Sequence, residues 1–372
     1  MPQTKKRLES FGALRALCCL SVILLHTHVT VYTGYLGVTT FFIMSGFLLV
    51  YNYYDRTELD AVSVSLCFRF AHGKVKKLYP LHLLTMALFV AEYAYALITG
   101  LAKPTLQLFA PFIANVLLIQ TWFPSENFYF SFNIVSWYLS VSAFLYFMFP
   151  LVLKAVRRLR STAQAAVLCV LLFAVQAAAS YYGCGSAWLG AMLGRNGGTV
   201  QWLLQVFPPM RLPAFWIGCN LGYIFLKTEK RFFTKAQTAA FEALTVLAAV
   251  CSLCTGLLPK SAPRLPAFFD YSLKYMLPAA MLVLAFAYAR GPAVRLLTNR
   301  VMLHLGRLSP YIYLIHYPVI AATALAVTRL PCSFTVQRVL YLASAAVFTY
   351  VFSVLYASRS PRKKRESAQR CR

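Results

Sequence analysis

TLQLFAPFIANVLLIQTW, residues 105–122, is the stretch on which the topology of this chain turns. By length and apolar content it passes for a membrane-crossing helix, which needs about 20 mostly apolar residues. Yet it carries Gln107, Pro111, Asn115 and Gln120, and polar, proline-bearing stretches flank it. Ten other apolar windows surround it, at 13–33, 36–54, 78–100, 135–153, 163–182, 211–227, 236–258, 270–290, 302–327 and 334–357. If all eleven crossed a bilayer, Lys154, Arg157, Arg158 and Arg160 would lie on the opposite side from Lys5, Lys6, Arg7 and from Arg69, Lys74, Lys76, Lys77. That contradicts the tendency of basic loops to stay cytoplasmic.

Demoting 105–122 repairs the pattern. With the N-terminus inside, segments 1–12, 55–77, 154–162, 228–235, 291–301 and 358–372 all become cytoplasmic, and all are basic. The expectation is an all-α polytopic membrane protein with about ten transmembrane helices and both termini cytoplasmic. A transmembrane domain over 1–357 would precede a basic tail, 358–372. Composition agrees, because 60% of the 372 residues are hydrophobic and 12% are charged, far from a soluble domain. The first apolar run is longer than a signal-peptide core and has no small-residue cleavage site, so it reads as a retained helix. A net charge of +26 would point a soluble protein toward nucleic acid. Here the loop placement assigns it to topology and to anionic lipid headgroups, so the bilayer is an expected partner and nucleic acid is not.

Within the first window, LRALCCLSVILLHTHV (14–29) holds Arg15 and His26. Eleven helical steps of about 100° make three turns plus roughly 20°, so the two share a face about 16 Å apart along the axis. Charged or titratable groups at membrane depth are costly unless they meet a partner or a water-filled cavity, which marks them as functional candidates. His28 falls about 200° around the helix from His26. By the same cost argument, Glu92 is expected to be buried and functional, and Arg211 is a further candidate. The ten cysteines are scattered. Their one C-x-x-C pair, Cys251 and Cys254, lacks the converging ligands of a zinc site, so no metal is expected.

Four more stretches carry polar or small residues in apolar surroundings: GYLGVTTFFIMSGFLLVY (34–51), KVKKLYPLH (74–82), NIVSWYLSVSAFLYFMFP (133–150) and LGRLSPYIYLIHYP (305–318). Each alone fits helix packing. In this order, over residues 8 to about 357, they resemble the membrane-bound acyltransferase 3 family. The arginine, ten residues, then histidine pattern is matched by Arg15 and His26, and G-V-x-x-F-F-x-x-S-G-F-L by Gly37 to Leu48. A basic R-x-x-R followed by tyrosine and proline is similar to Lys74, Lys77, Tyr79 and Pro80, with lysine at both arginine positions. Where many members have a glutamate in W-S-L-S-V-E, this chain has Ser142.

The resemblance implies acyl transfer, most often of acetyl, to hydroxyls of surface polysaccharides. Its donor would be acetyl-CoA or another acyl-CoA from the cytoplasm, acting as a substrate, with no permanently bound cofactor. Arg69, Lys74, Lys77, Tyr79, Ser45 and Gly46 are then expected at the donor. His26 is the expected general base, with Arg15 toward the donor. Trp137, Tyr138, Glu92, Arg211, Tyr313 and His316 are the secondary substrate-site candidates, with Ser140 as another possible oxyanion donor. The acceptor would be a surface polysaccharide or lipid-linked sugar outside a bacterial cytoplasmic membrane, its loop 183–210 including Arg195 and Asn196. The rival reading is a glycan or lipid transporter with Arg15, His26, Glu92 and Arg211 along a substrate or proton path.

Overall fold

The computed structural model describes residues 8–30, 33–100, 106–185, 197–230, 233–255, 267–269 and 271–359. Among them there is no β-strand. Twelve helices carry the architecture: α1 Ser10–His26, α2 Thr33–Tyr53, α3 Val64–Val75, α4 Tyr79–Ile98, α5 Phe109–Val116, α6 Trp137–Arg157, α7 Thr162–Gly185, α8 Leu212–Thr228, α9 Lys235–Cys254, α10 Leu273–Tyr288, α11 Arg300–Val327 and α12 Phe334–Arg359. Arg195, Asn196, Lys5 to Arg7 and the tail beyond 359 lie outside the described residues.

Each of the ten windows retained as spans coincides with one of these helices. Six are long and apolar enough to cross a membrane: Thr33–Tyr53, Ile134–Arg157, Thr162–Gly185, Lys235–Cys254, Arg300–Val327 and Phe334–Arg359. Ser10–His26 and Leu273–Tyr288 are apolar but shorter. The helices form two layers. In α2, 67% of the apolar window is buried, against 11% in α7; α7, α9 and α12 turn Val170, Leu171, Leu247, Val339 and Phe352 outward. Helices apolar on their outer faces as well as their inner ones belong in lipid.

The inner layer is held by small residues. On α2 and α8, a Cβ at Gly46 would overlap the carbonyl oxygen of Phe215, and one at Gly218 that of Ile43. On α1 and α11, a Cβ at Gly306 would overlap the carbonyl of Gly12. Backbones this close gain dispersion contacts that lipid cannot supply. Gly46 is therefore engaged in helix packing.

The stretch 105–122 does not form one helix. It breaks into a 3-10 turn at Leu106–Leu108, the eight-residue α5, and a second turn at Gln120–Trp122, with Leu118 in the left-handed region at φ 56°. Its polar residues are why it holds this shape indoors. The Asn115 amide donates to the Pro111 carbonyl (3.0 Å) and Ser131 hydroxyl (2.7 Å), while its side-chain oxygen accepts from Ser136 (3.2 Å). His82 Nε2 lies 3.0 Å from the Asn115 carbonyl, the Tyr79 hydroxyl donates to Val116, and Trp202 Nε1 donates to the Thr121 carbonyl. Irregular backbone survives at membrane depth only when other protein groups satisfy it.

Candidate functional site

α1 sets the site's axis. It ends at His26 itself, not beyond residue 30, because His28 adopts φ 55°. Arg338 of α12 then donates to the carbonyls of Thr27 (2.9 Å) and His28 (3.1 Å), placing a cation at the negative end of the α1 dipole. His26 is thereby held at a defined helix end.

Facing it from α11 is His316, whose ring centre lies 5.3 Å from that of His26, with Tyr317 at 5.4 Å in an edge-on arrangement. His316 is fully buried. Its Nδ1 sits 3.1 Å from the Ile312 carbonyl, and only an N–H can bond there, so Nε2 carries the lone pair. That nitrogen has no hydrogen-bond partner within the protein. Both imidazoles thus meet where α1 and α11 cross.

From His316 the groups continue inward. Tyr313 lies one turn back on α11 at 5.9 Å, Tyr138 of α6 packs on Tyr313 at 5.2 Å, and Phe42 of α2 stacks on Tyr138 at 4.8 Å. Trp137 lies behind Phe42 at 6.3 Å. Ser142, standing where the family commonly has glutamate, hydrogen-bonds Tyr138. Arg15 acts electrostatically on both Tyr138 and Tyr146, and Ser45 donates to the Tyr146 hydroxyl at 3.4 Å. His26, His316, Tyr313 and Tyr138 therefore form one line of ring contacts, with the Ser45–Tyr146 pair two turns further along α6 and Arg15 an electrostatic neighbour of both tyrosines.

The basic end lies at the foot of α2. Lys74 Nζ donates to the Tyr53 hydroxyl (2.8 Å) and sits 5.0 Å from the Phe70 ring centre. Arg69 and Lys77 are exposed nearby on and after α3. Arg157 is spent on structure, donating to the carbonyls of Tyr53, Tyr54 and Arg56 and pairing with Asp60.

Other expectations separate from this line. Glu92 is exposed on α4, a correction to its expected burial. It reaches the site only as an electrostatic neighbour of Tyr317, because the outer turn of α4 shows that side to the surroundings. Ser140 is committed elsewhere, bonding Thr121 and the Leu118 carbonyl. Arg211 and Tyr138 both neighbour Phe42, the guanidinium carbon at 5.7 Å and the Tyr138 ring at 4.8 Å from its centre. Glu242 of α9 accepts from the backbone N–H groups of Ala293 and Val294, capping the short helix Pro292–Leu297. The sequence reading missed Tyr146 and Tyr317. A signal for Tyr146 existed, since Tyr138, Ser142 and Tyr146 recur every four residues along one helix face.

An all-helical membrane protein with a histidine pair and a line of hydroxyls between its inner helices defines the class. The family model described as an acyltransferase domain matches residues 8–358, and the chain belongs to that acyltransferase family. It is an acyltransferase enzyme. A curated relative, the acyltransferase MdmB of Streptomyces mycarofaciens, is 28% identical over 348 residues, covering 86% of this chain and 81% of the relative. No solved structure matches the chain.

Proposed function

We propose that this enzyme moves an acyl group, acetyl by preference, from cytoplasmic acyl-CoA to a hydroxyl of a cell-surface glycan in a bacterial cytoplasmic membrane. The observation that carries the reading is the His26–His316 pair, joined through Tyr313 to Tyr138, in a chain whose basic cluster at Lys74 lies at the other end of α2. Ten crossings with both termini inside suit this arrangement, since they put Lys74 at the cytoplasmic face and His26 toward the outer one.

In the reaction, the acceptor oxygen bonds to the thioester carbonyl carbon as His26 takes the hydroxyl proton. The C–S bond then breaks, and the imidazolium returns the proton to the departing thiolate. His316, with its tautomer set by Ile312, offers Nε2 as an acceptor beside His26. Arg15 and the Tyr138, Tyr146 and Ser45 hydroxyls line the route from the donor side. Lys74, Lys77 and Arg69 supply positive charge for the donor's phosphates, with lysine acting as a point charge where an arginine would grip by two bonds.

Bound acetate released by mild base from the envelope glycans of expressing cells tests this. We expect acetate with wild type and none with a normally inserted His26→Ala protein or with no copy. Equal acetate in all three would remove acetyl transfer to those glycans from the reading.

A further inference from the structure

Arg211 is not used by the reaction above, yet it is the largest fully buried side chain described, 1% exposed. Its Nε donates to the Gln205 carbonyl, and its guanidinium carbon lies 5.7 Å from the centre of the Phe42 ring. Nη1 has no hydrogen-bond partner. A guanidinium does not give up its proton inside a protein, and burying that charge costs several kcal/mol unless a counter-charge meets it. Among the described residues no carboxylate pairs with it; its electrostatic neighbour is Tyr35.

The surroundings have the same unfinished character. Thr39 lies on α2 between Tyr35 and Phe42, and steps of four and three residues put all three on one helix face. Its hydroxyl is fully buried and has no partner. Arg211 closes a 3-10 turn that runs directly into α8. The backbone before it is irregular, with a π-helical turn at Trp202–Val206 supplying the Gln205 carbonyl and a 3-10 turn at Pro208–Arg211. Irregular backbone of this kind recurs at functional sites.

We infer that Arg211, with Thr39, binds an oxyanion carried by the acyl acceptor, a carboxylate or a phosphate group. Its function as an acceptor subsite rests on the acyl-transfer reading; its anion binding does not. Position favours the acceptor over the donor. Tyr35 lies two residues into α2, at the end of the α1–α2 pair where His26 stands, and Lys74 lies at the opposite end of α2. Phe42 is a shared neighbour of Arg211 and Tyr138, so a sugar anchored here by its anion would reach the line of hydroxyls with a neighbouring ring position.

The test uses full-length protein in detergent, followed by thermal unfolding against sodium glucuronate, glucose 6-phosphate, glucose and sodium chloride at matched ionic strength. A ligand that binds only the folded state raises the midpoint saturably. We expect such a rise with glucuronate or glucose 6-phosphate and none with glucose or chloride; which anion works identifies carboxylate or phosphate as the partner. The rise should vanish in Arg211→Gln and persist in His26→Ala. Arg211→Lys, which keeps the charge but loses the fork, should bind at least several-fold more weakly, and it serves alone if Arg211→Gln does not fold. No anion-specific rise in wild type, an equal rise in Arg211→Gln, or undiminished affinity in Arg211→Lys would each overturn the inference. Equal acetate with wild type, His26→Ala and no copy would sink the transfer reading while leaving this result standing.

Discussion

A single hydrogen bond decides what His316 can do. Because Nδ1 is engaged by the Ile312 carbonyl, the ring presents a lone pair at Nε2 toward the region it shares with His26. Replacement by glutamine keeps polarity but removes that basic nitrogen. We expect His316→Gln to lower kcat by about 10²-fold or more, the usual scale for a lost acid–base group, with KM for acyl-CoA changed little; steady-state kinetics on purified protein measures both. An unchanged kcat would assign His316 to packing. At this scale the sequence was partly legible. Arg15 and His26 declare themselves through spacing along one helix, whereas the His26–His316 contact joins residues far apart in the chain and leaves no periodic trace. Ser142 illustrates the same limit, since a departure from a family pattern says what is missing but not that the serine would hold the Tyr138 hydroxyl.

At the scale of elements, helix crossings set the spacing of the site. Gly46 and Gly218 let α2 and α8 touch backbone to backbone, while Phe42 and Ser45 of the same helix meet Tyr138 and Tyr146 of α6. Gly46→Ala inserts a methyl where the Phe215 carbonyl already lies, and overpacking of this kind costs about 1–3 kcal/mol. The expected result is a lower unfolding temperature, with KM for acyl-CoA unaltered in the folded enzyme. A normal unfolding temperature with a raised KM would instead return Gly46 to the donor site. The glycine was visible in sequence, but its partner helix was not, so ligand approach and helix approach read alike. The stretch 105–122 was more legible, because Asn115 and Gln120 have no place against lipid. What they would bond to came only with the fold.

For the whole molecule, hydrophobic windows and loop charge were enough to anticipate an all-helical membrane protein, since both follow from the bilayer rather than from contacts between helices. The division into inner and outer layers was not, because α7 and α2 have similar apolar content and differ only in what surrounds them. The broken stretch between α4 and α6 has a further implication for how the chain is made. Asn133 donates to the Leu314 carbonyl at 2.9 Å, across 181 positions of sequence, so during synthesis this bond waits for α11, whereas Asn115 and Thr121 find their partners earlier in the chain. A buried amide short of partners is costly in hydrocarbon. The expected order is that the stretch folds on its earlier partners and its Asn133 end locks only after α11 has emerged. A chain truncated before residue 300 should label readily with a membrane-impermeant thiol reagent at a cysteine placed at Ser131, and the full chain should resist; equal labelling would mean that the stretch settles without its late partner.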